Sequence, residues 1–266
     1  MKNKLLVFDL DGTILNQQHL LEPSMKDVLS RIKNKGFMFT IATGRVYNSA
    51  LPFLNELDID LPVIVCNGAI LIDRSSTYFH YKLDKIKALE VLKNISLEKA
   101  DKYIFYGSEI FSENGSSFSF SYSEILKIRI SQVPSIEGLI KERDDDPTMF
   151  VFMMDKEIVP EKTEEIQNLG ISGINVTNSN PYFVDVLSSR ASKGHALKKM
   201  IKLLKINRED VIVVGDGLND LEMFREAGLC VTVSNASPEV KKCADYISTK
   251  ERFEGVIDFL KKEILK

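Results

Sequence analysis

Leu5-Leu6-Val7-Phe8 runs directly into Asp9-Leu10-Asp11-Gly12-Thr13, and this junction restricts the fold more than any other stretch of the chain. A short run that is apolar at every position reads as a buried strand. On a continuing strand Asp9 and Asp11 share one face, with Leu10 opposite. Buried carboxylates are costly unless paired, hydrogen-bonded or bound to metal, so two this close call for a cation. Gly12 lets the chain turn at once, which leaves both acids at the strand's carboxyl end, where open parallel sheets bind ligands. Asp-x-Asp-Gly also opens calcium loops and ordinary turns. The calcium-loop reading fails because Ile14-Leu15 follow Thr13 where further oxygen ligands are needed. An ordinary turn stays open on these five residues alone.

The pattern around the junction repeats. Pro23 opens a helix with Met25, Val28, Leu29 and Ile32 at helical spacing, and Gly36 ends it. Phe37–Ala42 is a second strand, ending at Thr43-Gly44-Arg45. A helix through Ala50, Leu51, Leu54 and Leu57 leads to a third strand, Pro62–Cys66, ending at Asn67-Gly68. Strands alternating with helices predict a parallel sheet with right-handed crossovers. From about Leu83 to Ser188 the texture loosens into an α+β module, with a serine-rich stretch, an Asn114-Gly115 turn signal, strands over Thr148–Met154 and Tyr182–Leu187, and a helix over Pro160–Leu169. Asp144-Asp145-Asp146-Pro147 reads as a solvated acidic turn. The alternation resumes at Ser192, an N-cap for a helix through Leu204. Strands follow at Asp210–Val214 and Leu229–Val233, and a last helix spans about Gly255 to Ile264.

Each polar cluster therefore falls just after an apolar strand: Asp9 and Asp11, Thr43, Asn67, Asp216 and Asn235. One parallel sheet brings these ends to a common edge. Asp9, Asp11 and Asp216 supply the hard oxygens that Mg²⁺ takes. Thr43 offers a hydroxyl and a backbone amide where a helix begins, a phosphate site. Lys193 can neutralise a phosphate, Asn219 can donate to a phosphate oxygen, and Asp220 can hold Lys193 or a metal-bound water. Taken singly, each has a plainer role: a strand end, a surface lysine, an N-cap. Arg45 reads as structural, His195 as exposed or capping, and Asn67 is open between turn and substrate contact.

Composition narrows the class. The chain has 266 residues, enough for a core plus a second domain, and its 44% hydrophobic and 27% charged content is that of a globular protein. A net charge of −3 gives no electrostatic case for nucleic acid or an anionic membrane. Three unpaired cysteines, Cys66, Cys230 and Cys243, read as inert buried thiols in a reducing compartment. The apolar run after Lys4 is too short for a signal peptide and no segment approaches membrane-spanning length, so a cytoplasmic enzyme and, by default, a monomer is expected.

Together, Asp9-Leu10-Asp11-Gly12-Thr13, Ala42-Thr43-Gly44-Arg45, Ser192-Lys193-Gly194 and Gly215-Asp216-Gly217-Leu218-Asn219-Asp220 resemble the haloacid dehalogenase superfamily of phosphatases, and within it the Cof-type hydrolases. The resemblance covers nearly the whole chain, including Asn235-Ala236 and the tail. It implies a doubly wound parallel-sheet core, Rossmann-like, from residues 1–83 and 189–266, with an inserted α+β cap at 84–188. It also implies a Mg²⁺-dependent phosphatase of small phosphomonoesters, such as sugar phosphates, pyridoxal phosphate or flavin mononucleotide. Asp9 would be the nucleophile that forms an aspartyl-phosphate, and Asp11 the general acid and base, its pKa raised by its neighbour. Leu10 (through its amide), Thr43, Gly44, Lys193 and Asn219 would hold the phosphoryl oxygens. Asp9, the Asp11 carbonyl and Asp216 would hold Mg²⁺, with Asp220 behind them and Asn67 and Gly68 as candidate substrate contacts. Cys66-Asn67-Gly68 stands where relatives often carry a second Asn, and Asp185 where they often carry Glu; both could change specificity. In the cap, Tyr103, Phe105, Tyr106 and Phe118 could stack on a ring, although core packing suits most of them. A phosphosugar mutase and a non-catalytic phospho-aspartate receiver module are the alternatives; the receiver lacks the inserted module and carries its acceptor on a later strand.

Overall fold

A computed structural model of the chain describes residues 4–95, 100–113 and 119–266. The core sheet contains β1 (Leu5–Phe8), β2 (Met38–Ile41), β12 (Val211–Val214), β13 (Leu229–Thr232) and β14 (Tyr246–Ile247). Their order is β14-β13-β12-β1-β2, all parallel, with Leu5 paired to both Val211 and Met38. β1 and β12 are buried at every position because helices cover both faces. Alternation divides their side chains. Leu6 and Phe8 join the cluster of α1 (Pro23–Asn34), α2 (Tyr47–Glu56) and α10 (Arg252–Phe259); Leu5 and Val7 join that of α7 (Lys193–Leu204), α8 (Leu221–Arg225) and α9 (Pro238–Lys242). This is the expected doubly wound core. Its strand order reverses between β1 and β12, which opens the crevice where such sheets bind ligands.

The third predicted strand differs from expectation. β3 (Val63–Val65) pairs with the core sheet through the parallel bridge Ala42↔Ile64, the one such bridge among the described residues, and forms an antiparallel sheet with β4 (Ile70–Ile72) and β5 (Thr77–His80). The turn after β3 explains the break: Cys66, Asn67 and Gly68 all have positive φ, and the chain reverses there instead of entering a crossover helix.

A second sheet is inserted between β5 and α7. It runs β10-β11-β9-β6-β7-β8, with β6 (Asp101–Tyr106), β7 (Glu109–Glu113), β8 (Ile130–Val133), β9 (Met149–Met153), β10 (Ile174–Thr177) and β11 (Phe183–Ser188). Pairing is antiparallel except between β7 and β8. One face packs α3 (Lys85–Asn94), α5 (Ile136–Glu142) and α6 (Val159–Asn168). The other face, with α4 (Ser119–Leu126), turns to the core. Tyr103 and Phe105 are buried on that second face and Tyr106 on the helix side. Phe118 and the Asn114-Gly115 turn lie outside the described residues. Cys66 and Cys230 are buried, as expected, but Cys243 is exposed at the end of α9. No helix among the described residues is long and apolar enough to cross a membrane.

Gly68 ties the β3 turn to the start of α7. At φ +89°, a Cβ there would stand 2.1 Å from the Ser192 carbonyl oxygen and 2.6 Å from the Lys193 nitrogen. Its role here is close backbone approach. Gly68→Ala is expected to lower the unfolding free energy by about 3 kcal/mol, through strain and clash together, seen as an earlier midpoint in urea denaturation.

Candidate active site

The crevice between β1 and β12 gathers the carboxylates. Asp9 continues β1, its amide donating to the Val214 carbonyl at 2.9 Å. Asp216 and Asp220 sit on the turn after β12. Ligating oxygens of Asp9, Asp216 and Asp220 all lie within 4.8 Å of one another. Gly12 permits this crowding: it turns the chain at φ +87°, and a Cβ there would stand 2.2 Å from Asp216 Oδ2.

Lys193, only 1% exposed at the first position of α7, donates to Asp9 Oδ1 at 2.6 Å and to Asp220 Oδ1 at 2.7 Å. Burial and the two carboxylates act in opposite senses on its ammonium; the carboxylates prevail and hold its pKa above the ordinary lysine value. Asp220 Oδ2 accepts the Asp216 and Gly217 amides at 3.0 and 2.9 Å, so Asp220 organises the turn and the lysine together. Asp216 accepts from the Thr13 hydroxyl at 2.6 Å and from Asn235 Nδ2 at 3.1 Å, and Asn235 also donates to the Gly12 carbonyl. Burial and the neighbouring Asp220 charge push the Asp216 carboxyl up to about 7 despite the Thr13 bond. Burial likewise holds Asp9 well above the usual carboxylate range, with Lys193 pulling against it. Three carboxylates against one lysine leave an excess of negative charge on hard oxygen donors, a set that fits a divalent cation such as Mg²⁺.

Asp11 is placed differently from its expected environment. Arg45 Nε and Nη2 each donate to one of its oxygens at 2.7 Å, and His19 Nδ1 lies 2.7 Å from Oδ1. Burial alone would raise the Asp11 pKa, but the Arg45 and His19 hydrogen bonds outweigh it and hold the carboxyl well below its ordinary range. The expectation of a raised pKa is therefore corrected: the bidentate guanidinium and the His19 bond outweigh burial. Arg45 also donates through Nη1 to Ser49 Oγ and to the Ile125 carbonyl of α4, joining Asp11 to the inserted unit. The sequence signals Arg45 only through its place after Thr43-Gly44; nothing in it signals His19, a loop residue at φ +57°.

Thr43 presents a hydroxyl only. Its amide donates to the Ile64 carbonyl at 2.9 Å, and α2 begins four residues later, so the expected helix-start amide is not free. Asn219 Nδ2 donates to Asn67 Oδ1 at 2.9 Å, while the buried Asn67 Nδ2 has no partner among the described residues. His195 is exposed, its amide capped by Ser192 Oγ.

Asp9, Asp11, Thr43, Gly44 and Asn219 line a cavity of about 440 Å³, which the inserted unit closes with Tyr122, Met149, Met153, Phe183 and Asp185. Tyr103, Phe105 and Tyr106 do not line it; Tyr103 instead buttresses Tyr122, edge to face at 5.0 Å. Asp185 is fully buried on β11. Oδ2 accepts the Ser179 amide at 2.7 Å, Oδ1 has no partner among the described residues, and burial pushes the carboxyl up to about 6.

The haloacid dehalogenase-like hydrolase family profile matches residues 6–260. The chain is 28% identical to phosphatase YwpJ of Bacillus subtilis across 97% of this chain and 99% of that protein. It is 25% identical to the 5-amino-6-(5-phospho-D-ribitylamino)uracil phosphatase YwtE of the same organism, across 97% and 96%. A haloacid dehalogenase-like hydrolase structure from B. subtilis superposes with a TM-score of 0.85 at 26% identity, covering 98% of this chain and all of that one. The match runs through the inserted unit, which a receiver module lacks.

Because the Asp185 pKa is raised on folding, its ionisation costs stability: the penalty is absent below the unfolded value near pH 4, grows toward pH 6 and is complete above it. Asp185→Asn is expected to raise the melting temperature at pH 8, by an amount corresponding to about 3 kcal/mol at most, and to change it little at pH 4, as read by calorimetry. From its fold, its site and these similarities, the chain belongs to the haloacid dehalogenase-like hydrolase family, among the phosphatases that carry an inserted α/β cap.

Proposed function

We propose that this hydrolase is a Mg²⁺-dependent phosphatase of small phosphomonoesters working through an aspartyl-phosphate on Asp9, with residues 84–188 as its cap. The observation that carries the reading is the trio Asp9, Lys193 and Asp220 beside Asp216, which presents Asp9 to a cavity sized for one small molecule. Asp9, Asp216 and the Asp11 carbonyl would hold the cation, which when bound offsets the repulsion between anionic nucleophile and anionic ester.

Lys193 orients Asp9 by binding Oδ1, leaving Oδ2 to attack phosphorus. The Asp9 Oδ2–P bond forms as the ester P–O bond breaks, and the leaving oxygen takes a proton. Asp11 supplies that proton and later removes one from the water that cleaves the acyl phosphate, regenerating the Asp9 carboxylate and releasing phosphate. Paired with Arg45, Asp11 is ionised and suited to the second task; the first requires that the pair open as the leaving group arrives. The Thr43 hydroxyl, the Leu10 and Gly44 amides, Asn219 and the unpartnered Asn67 Nδ2 are the donors for the transferring oxygens. The leaving group lies under the cap, which excludes water. YwtE, named for a phosphorylated ribitylaminouracil, gives one example of the substrate size.

With a panel of phosphorylated metabolites, phosphate release is expected to vanish on chelation and return with Mg²⁺. Asp9→Asn should reduce it about a thousandfold or more; full Mg²⁺-dependent activity in this variant refutes the mechanism. Asp11→Asn should turn over slowly and accumulate phosphoprotein, detected by intact mass after rapid quenching. Detection of isomerised sugar phosphate in place of inorganic phosphate would instead identify a mutase.

A further inference from the structure

The cap side of the cavity carries a carboxylate that this chemistry does not use. Asp185 lies mid-strand in β11, on the core-turned face that it shares with Phe183 and Leu187, opposite Val151 of β9. One oxygen is held by the Ser179 amide; the other is buried without a hydrogen-bond partner among the described residues. Lys193 attracts it through space, but its hydrogen bonds among the described residues go to Asp9 and Asp220. For packing alone an apolar residue would serve better, since an unpaired buried carboxylate oxygen is a standing cost.

The surroundings restrict what could pair with it. Tyr122 and Phe183 meet edge to face at 5.3 Å, and Met149 and Met153 complete an apolar, polarisable wall. Apart from its tyrosines, the cap's polar lining among the described residues is Ser179, Asn180 and Asp185. A polyol placed here would turn hydroxyls toward Met149, Met153, Phe183 and the ring of Tyr122, which offer them no partners. A flat unsaturated ring needs contact over its faces and a partner only at its polar edge.

We infer that Asp185 selects the leaving group: its Oδ1 accepts a hydrogen bond from an N–H or O–H on the edge of a planar ring packed against Tyr122, Phe183, Met149 and Met153. The inference rests on the phosphatase reading, because it concerns what that same site admits.

The test compares two esters of similar shape with Mg²⁺ present: 3-aminophenyl phosphate, which carries a donor, and 3-methylphenyl phosphate, which does not. The wild-type protein is expected to favour the amino ester in kcat/KM by about tenfold or more. In Asp185→Asn the amide oxygen takes over the Ser179 amide and turns Nδ2, a donor, toward the ring, so the ratio should fall to near one. A ratio taken within one protein cancels any general loss of activity. A wild-type ratio near one, or a ratio that Asp185→Asn leaves intact, overturns the inference. If the variant does not fold, the wild-type ratio decides alone. Acetyl phosphate, too small to span the cavity, reports phosphoryl transfer by itself. Its hydrolysis without turnover of either aryl ester overturns the inference and leaves the phosphatase reading standing, whereas failure of all three substrates with Mg²⁺ present removes that reading and the inference with it.

Discussion

Lys193 holds Asp9 and Asp220 apart from each other's charge, and the site is built around that ammonium. Three carboxylates crowd the reversal point of the sheet, where β1 and β12 lie side by side. In water such a cluster would disperse. Here Lys193 is carried in on the first turn of α7, with its stem buried, and its charge binds the two acids from opposite sides. Breaking such a triad from one side leaves an uncompensated buried charge, which costs more than the intact set contributes. Other features serve the same point: the glycine at 68 lets the β3 turn approach α7, the glycine at 12 lets Asp216 approach β1, and Asp220 fixes the turn that carries Asp216.

The core was readable because its signals are local. Four apolar residues followed by an acid identify β1 and the position of Asp9 whatever lies across the sheet, and the apolar stripe of Met25, Val28, Leu29 and Ile32 identifies α1. The cluster at the sheet edge followed from parallel topology alone. Where the outcome depended on a partner distant in sequence, the reading fell short. The Thr43 amide belongs to Ile64 because the turn after β3 bends back. In the cap, β6 is buried as a block and β8 and β10 have no fully buried position, so their alternation is weak, and the aromatics that face the cavity look no different in sequence from those that pack the sheet. Tyr122 lines the cavity and Tyr103 stands behind it; only the register of β6 against β9 and the place of α4 separate them.

Function and stability pull in opposite directions at several positions. Asp9, Asp216 and Asp185 all carry pKa values raised by burial, so each destabilises the folded chain when ionised, while Asp11 is stabilised as a carboxylate by Arg45. The apolar layers on both faces of the core sheet offset that cost. Such local violations of good packing chemistry are expected where a chain must bind a charged ligand; Asp9 and Asp11 on one side and Asp185 on the other line the same cavity.

The insertion of the cap between β2 and β12 also sets the order in which the protein can be assembled. β1 pairs with β12 across 206 residues, from Leu5 to Val211. At ordinary rates of synthesis this separation corresponds to roughly ten to forty seconds. The described cap strands lie within residues 101–188 and pair among themselves, so that sheet can close while β1 still waits for its central neighbour. Until the chain beyond Val214 emerges, Asp9 has neither Asp216 nor Asp220 beside it. A chain still in synthesis would thus carry a closed second sheet beside an open first one, and the carboxylate cluster comes together only once residues 216–220 have been made.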